Sequence, residues 1–267
     1  MTAEASRNAA AASLLAFWAD AGVDAAYAEA PIDRLVEGRR RLQPAKPAAP
    51  PVQRRAEPAQ GAAPDVLSAA AQARDLAAAA GNLAELEAAI AAFDGCPLKF
   101  MGASKAVFAR GAPDAPVMII GEGPGADEDA QGAPFVGRAG KLLDKMVAAA
   151  GLTGRVFITN TVFWRPPGNR TPSPQEQAAC APFVERAIAL VRPKALLFAG
   201  GASAKAMLKR SEGILTLRGQ RLQWTPEAGG PSIPAMPTLH PAFLLRQPQA
   251  KKKAWDDLLN LCDMISG

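Results

Sequence analysis

From residue 114 onward, short apolar runs alternate with longer amphipathic ones, and few folds accommodate that order. "PVMIIGE", "RVFITNTVF", "KALLFAGG" and "AMPTLHP" are apolar and of strand length. "AGKLLDKMVAAAGL", "SPQEQAACAPFVERAIALV", "ASAKAMLKR" and "AKKKAWDDLLNLCDMI" have helical spacing. Gly151 is placed to end the first of these helices and Ser173 to cap the start of the second. A polar stretch around "LTLRGQRLQW" reads as a hairpin. Strand and helix in turn predict a three-layer α/β/α fold with a central, mainly parallel four-stranded sheet. In such sheets ligands bind beyond the carboxyl ends of the strands. Those ends read "GEGPG", "TN", "GG" and "LHP", so Glu122, Asn160 and His240 are predicted to meet at one crevice.

The chain before this region is different. Residues 1–42 have the apolar spacing of a helical extension. Residues 43–65 carry six prolines between Pro44 and Pro64 and read as a disordered linker. Residues 66–93 are alanine-rich, with leucines at helical spacing, and are predicted to lead a catalytic domain spanning 66–267. Residues 1–95 hold 9 Lys+Arg against 12 Asp+Glu, and residues 96–267 hold 21 against 13. A basic domain behind a mildly acidic leader points to a polyanionic partner for the domain and leaves an unknown protein partner for the leader. Cys96, Cys180 and Cys262 are odd in number and far apart, which argues for a reducing cytoplasm. No apolar run is long enough to span a bilayer. "AAAASLLAFW" is flanked by Glu4, Arg7 and Asp20, which suits an amphipathic helix better than a signal peptide. A monomer without membrane attachment is expected.

The segment "GEGPGADEDAQGAPFVG" (121–137) formally matches a dinucleotide fingerprint. However, Asp127, Glu128 and Asp129 stand where a pyrophosphate would meet the next helix, and they would repel it. The acid expected at the following strand end is missing, because Asp144 falls within a helical run. No Lys-Ser or Lys-Thr follows, so a phosphate loop of the Walker type is excluded. With a single histidine and no second acidic cluster at a strand end, a metal hydrolase is also disfavoured. Asp127 and Glu128 suit a helix N-terminus, whereas Glu122 precedes the turn and is left for chemistry.

"GEGPGADEDAQGAPFVGRAGKLLD", "ITNTVFWRPPGNRTPSPQE" and "LHPAFLLRQP" together resemble the family four uracil-DNA glycosylases of bacteria and archaea, over about residues 94–264. The resemblance implies an enzyme that flips uracil out of DNA and hydrolyses its bond to deoxyribose, leaving an abasic site. It implies that Glu122 handles the water and faces the cationic sugar, and that Asn160 reads the N3–H and O4 edge. Phe135 would stack on the base, His240 would donate to O2 and Gly123 would offer its backbone amide. Asp129 would join the catalytic group by ordering the loop. Leu244, Leu245 and Arg246 read as a wedge entering the groove. Arg165, Arg170, Lys251, Lys252 and Lys253 read as phosphate contacts.

The resemblance also implies a four-iron, four-sulfur cluster held by four cysteines. Only Cys96 and Cys180 stand at matching positions, with Lys99 and Trp164 at the other two. The expectation from ligand count is that no cluster is present, that Trp164 fills its volume, and that Cys96 and Cys180 lie close together. Rival readings are a glycosylase for hypoxanthine or xanthine and a damage-binding protein without catalysis. A member that captures its abasic product is disfavoured, because no further histidine exists to attack it.

Overall fold

The computed structural model describes residues 66–227 and 229–266. The predicted N-terminal helices and the proline-rich linker lie outside the described residues. Two helices lead: α1 (Val66–Ala79) and α2 (Leu83–Ala92). The sheet region then runs β1 (Ala109–Gly111), β2 (Val117–Gly121), α3 (Ala126–Gln131), α4 (Arg138–Ala149) and β3 (Val156–Asn160). It continues through α5 (Pro174–Val191), β4 (Ala195–Ala199), α6 (Gly201–Leu208), α7 (Ile214–Leu217) and β5 (Leu222–Trp224). β6 (Ile233–Thr238), α8 (Pro241–Arg246) and α9 (Lys251–Ser266) complete it.

The strand order is β1-β3-β2-β4-β6-β5. β2, β3, β4 and β6 are the four predicted strands, and they pair in parallel. Two short antiparallel edge strands, β1 on β3 and β5 on β6, widen the sheet to six. The polar stretch read as a hairpin forms the helical turn α7 followed by β5, which pairs antiparallel with the next strand in the chain, β6. Three-residue edge strands carry too little period-two signal to be read from the chain alone.

All five residues of β2 are buried, as a central parallel strand requires. Met118 and Ile120 pack into a core shared with α1, α2 and α5 through Ala73, Ile90 and Phe183. Val117 and Ile119 point the other way, toward Leu143 of α4 and Leu258 and Leu261 of α9. Alternation of side chains along the strand thus builds two cores and three layers.

α5 begins as predicted. The Ser173 hydroxyl accepts from Glu176 N at 3.2 Å, and the Glu176 carboxylate accepts from Ser173 N at 2.7 Å, a reciprocal cap. Pro174 occupies the first turn, where its missing N–H costs nothing. The connection from β2 leads to β3 on one side, and the chain then crosses to β4 on the other. The switch point lies at the carboxyl end of β2, where this topology places a ligand.

Candidate active site

At that switch point the strand ends enclose a crevice of about 510 Å³. It brings together Glu122, Gly123, Phe135, Asn160 and His240, all predicted, with Arg170 and Arg246 also lining it. Gly121 makes the convergence possible. A Cβ there would sit 2.4 Å from Asn160 Oδ1 and 2.6 Å from the Phe135 ring. Thr161 secures the turn beside it, donating from its hydroxyl to the Glu122 carbonyl at 2.6 Å.

The acids after the glycines serve the loop. Glu128 Oε1 accepts from Val136 N and Gly137 N, each at 3.0 Å, and Oε2 accepts from Gly125 N at 3.0 Å. One carboxylate therefore ties both ends of the α3 segment together. Asp129 is buried and accepts from Ser104 N at 2.8 Å and from the Ser104 hydroxyl at 2.9 Å. Asp129 was expected to act by ordering the loop, and its side chain points to the 104 segment and is not among the residues lining the crevice. The charges of Glu128 and Asp129 are met by backbone amides and the Ser104 hydroxyl, which is why a glycine-rich turn tolerates them.

Phe135 has φ +55°, an uncommon conformation for a residue with a bulky side chain. It is over-determined by its neighbours. Arg110 donates from Nε to the Pro134 carbonyl at 2.8 Å and from Nη2 to the Phe135 carbonyl at 3.1 Å, and it also pairs with Asp144 at 2.6 Å. α4 lies directly on this backbone, since a Cβ at Gly140 would fall 1.7 Å from the Phe135 oxygen. The Phe135 ring lies 5.7 Å from the His240 ring, with the planes 30° apart.

Asn160 ends β3 with its side chain 1% exposed, and its Nδ2 has no hydrogen-bond partner. A buried amide donor left unpaired costs about 1–3 kcal/mol, so the fold holds this group ready at its own expense. His240 caps α8: its Nδ1 accepts from Ala242 N at 3.1 Å. That bond leaves the proton of the neutral ring on Nε2. Burial, reinforced by the nearby Arg246 charge and opposed by Glu128, lowers its pKa from 6.5 to about 4. At neutral pH the ring is therefore an uncharged donor. Gly200, at φ +103°, lets α6 begin against it; a Cβ there would lie 3.0 Å from His240 Cβ.

The wedge reading needs revision. Leu244 is fully buried with Leu239 and Ala254, so it belongs to the core, while Leu245 is 38% exposed. "PAFLLR" is a helix and not a loop. His240, Phe243 and Arg246 recur every three residues and share the face that lines the crevice. Phe243 and Glu128 are among the lining residues that sequence reasoning missed; helical spacing counted from His240 would have found the first. Arg165 Nε donates to Asn169 Oδ1 at 2.7 Å. Arg170 pairs with Glu176 at 2.6 Å and remains 43% exposed. Lys251, Lys252 and Lys253 are exposed in the first turn of α9.

A model of the uracil DNA glycosylase superfamily matches residues 108–259. The chain is 38% identical over 183 residues to the type-4 uracil-DNA glycosylase of Pyrobaculum aerophilum, covering 66% of this chain and 91% of that one. The chain belongs to the uracil-DNA glycosylase superfamily. It is also 38% identical over 153 residues to the type-4 enzyme of Thermotoga maritima (57% of this chain, 77% of that one). To the type-4 enzyme of Sulfurisphaera tokodaii it is 37% identical over 167 residues (60% and 75%).

These relatives overturn one expectation. The chain was expected to carry no iron–sulfur cluster, but type-4 uracil-DNA glycosylases are the cluster-containing family. A thiol count excludes only an all-cysteine ligand set, and clusters also accept other donors. The side chains at the four positions are not an all-thiolate set. Cys96 and Cys180 are buried, with their Sγ atoms 3.8 Å apart. Burial pushes the Cys180 thiol well up, while the hydrogen bond it donates lowers that of Cys96. Trp164 is 2% exposed and packs edge-on against Phe163 at 6.3 Å. Lys99 Nζ turns to the end of α2, donating to the Ala91 and Phe93 carbonyls at 2.8 and 3.2 Å and pairing with Asp94 at 2.7 Å.

Proposed function

We propose that this chain releases uracil from DNA by hydrolysing the bond between N1 and C1′, leaving an abasic site. The observation that carries the reading is the buried, unpaired Asn160 Nδ2 in a crevice that also holds Phe135 and the neutral donor His240. An amide presents one acceptor and one donor side by side, which complements the N3–H and O4 of uracil. Phe135 stacks on the flipped base.

As the C1′–N1 bond breaks, its electron pair moves onto the base and charge collects on O2. His240 Nε2–H donates to that oxygen and remains a proton donor without itself being charged. The Glu122 carboxylate faces the oxocarbenium-like sugar, orients the water and takes its proton as oxygen bonds to C1′. The Gly123 amide reads the base from a turn that packs closely on Val162, where a Cβ would lie 2.9 Å from Val162 Cγ2. Arg165, Arg170, Arg246 and Lys251–Lys253 contact phosphates, and Leu245 fills the space the base leaves.

Residues 66–267 form the catalytic unit, which works as a monomer in the cytoplasm, and residues 1–65 recruit a protein partner. A polyanionic substrate for the catalytic unit is supported by the 21 Lys+Arg against 13 Asp+Glu of residues 96–267. Among the described residues no helix is long and apolar enough to cross a membrane. The test is incubation with a labelled uracil-containing oligonucleotide followed by alkaline cleavage. Strand scission that depends on both uracil and Asn160 supports the proposal; intact strands refute it.

A further inference from the structure

A second concavity adjoins the crevice. Between α4 and α9 runs a groove of about 430 Å³ lined by Leu142, Met146, Leu244 and Trp255, with Lys145, Lys251 and Lys252 among its walls. Trp255 is 37% exposed, and Leu259, one turn along the same face of α9, is 46% exposed. Among the described residues none of the three lysines is paired with a carboxylate. Asp144, beside Lys145, is already held by Arg110. The exposed acid next to Trp255 is Asp256.

Two features identify what this groove takes. The first is its chemistry. An aromatic, apolar trough flanked by three ammonium groups matches single-stranded nucleic acid, whose bases stack on aromatic faces while cations follow the phosphates. The second is continuity. α8 has six residues and is about 9 Å long. It presents His240, Phe243 and Arg246 to the crevice and Leu244 to the groove. A strand with one nucleotide in the crevice therefore runs past the groove within a nucleotide or two.

We propose that the groove between α4 and α9 binds unpaired DNA next to the flipped nucleotide, with Trp255 as the stacking platform and Lys145, Lys251 and Lys252 facing phosphates. This rests on the uracil-DNA reading for its continuity, and it gives the enzyme a preference for single strands, since a paired base cannot turn its face to Trp255.

The experiment measures binding without catalysis. Full-length protein is titrated into a fluorescently labelled 15-mer of thymidine and, separately, into a uracil-free duplex, and anisotropy is read at several salt concentrations. Trp255→Ala is expected to weaken single-strand binding about 10- to 100-fold, the range for loss of one stacked base. Trp255→Phe should restore most of that, and duplex affinity should change less than about threefold. Lys145→Gln should flatten the slope of log affinity against log salt by about 0.7 on the single strand.

Unchanged single-strand affinity in Trp255→Ala, or an equal loss on duplex, overturns the proposal. If that variant does not fold, an unchanged salt slope in Lys145→Gln overturns it instead. Loss of affinity for a labelled glutamate-rich, leucine-containing peptide with DNA binding intact would assign the groove to a protein partner and likewise overturn it. Because no uracil is present, groove binding that behaves as expected beside failed uracil release would refute the glycosylase reading alone.

Discussion

Asn160→Ala separates a group held for the substrate from a group held for the fold. In the free protein Asn160 Nδ2 is buried without a partner, and the side chain is 1% exposed. Removing such a donor relieves about 1–3 kcal/mol of desolvation penalty. The lost contacts and small cavity act in the opposite direction and cost a comparable amount for a few heavy atoms. The net change in unfolding free energy is expected to stay within about 1 kcal/mol. The loss in catalysis is not offset. Two hydrogen bonds to the base disappear, and at about 1–2 kcal/mol each kcat/KM falls about 30- to 1,000-fold. Urea denaturation of both proteins measures the first quantity, and single-turnover cleavage of a labelled uracil oligonucleotide measures the second. Destabilisation above about 3 kcal/mol, or activity within threefold of the parent, would show that Asn160 is structural and refute the reasoning.

Three further outcomes follow from the same geometry. The folded-state pKa of His240 is lowered to about 4, so between pH 6.5 and 4 the unfolded chain gains a proton that the folded chain does not. Stability should therefore fall across that window by up to about 3 kcal/mol, and His240→Gln, measured by urea melts at each pH, should lack this component. Asp129→Ala should cost about 1–3 kcal/mol in thermal or urea stability by removing two hydrogen bonds to Ser104, each worth about 0.5–1.5 kcal/mol, with a smaller effect on kcat/KM than Asn160→Ala. Loss of turnover in a fully stable variant would show that Asp129 does more than order the loop. A chain beginning at Asp65 should keep its turnover on short oligonucleotides, and a folded but inactive truncation would show that the leader helps to build the site.

Much of the site was legible because the strand ends carry it. Buried parallel strands are long enough in "VMII", "FITN" and "LLFA" to be read as such, and topology then sends Glu122, Asn160 and His240 to one place. What was hidden lay in short elements and in partners remote in sequence. β1 has three residues, yet its Arg110 braces the backbone of Phe135. Ser104 is 25 residues from Asp129, so nothing local announced that this acid was already engaged. The six-residue α8 is too short to show a helical period in the sequence, so the wedge reading did not tell Leu244, which the helix buries, from the exposed Leu245. The expectation of no iron–sulfur cluster was overturned for a different reason: cysteine counting tests one ligand set, whereas the type-4 relatives are the cluster-containing family.

The most direct test of the account is base release from matched oligonucleotides that differ only in one residue: uracil, hypoxanthine, xanthine or thymine, each in single- and double-stranded form. The purified full-length protein is expected to create alkali-labile sites at uracil, faster in the single strand, and none at thymine. Scission confined to hypoxanthine or xanthine, or tight binding of uracil DNA with no scission in any form, would contradict it.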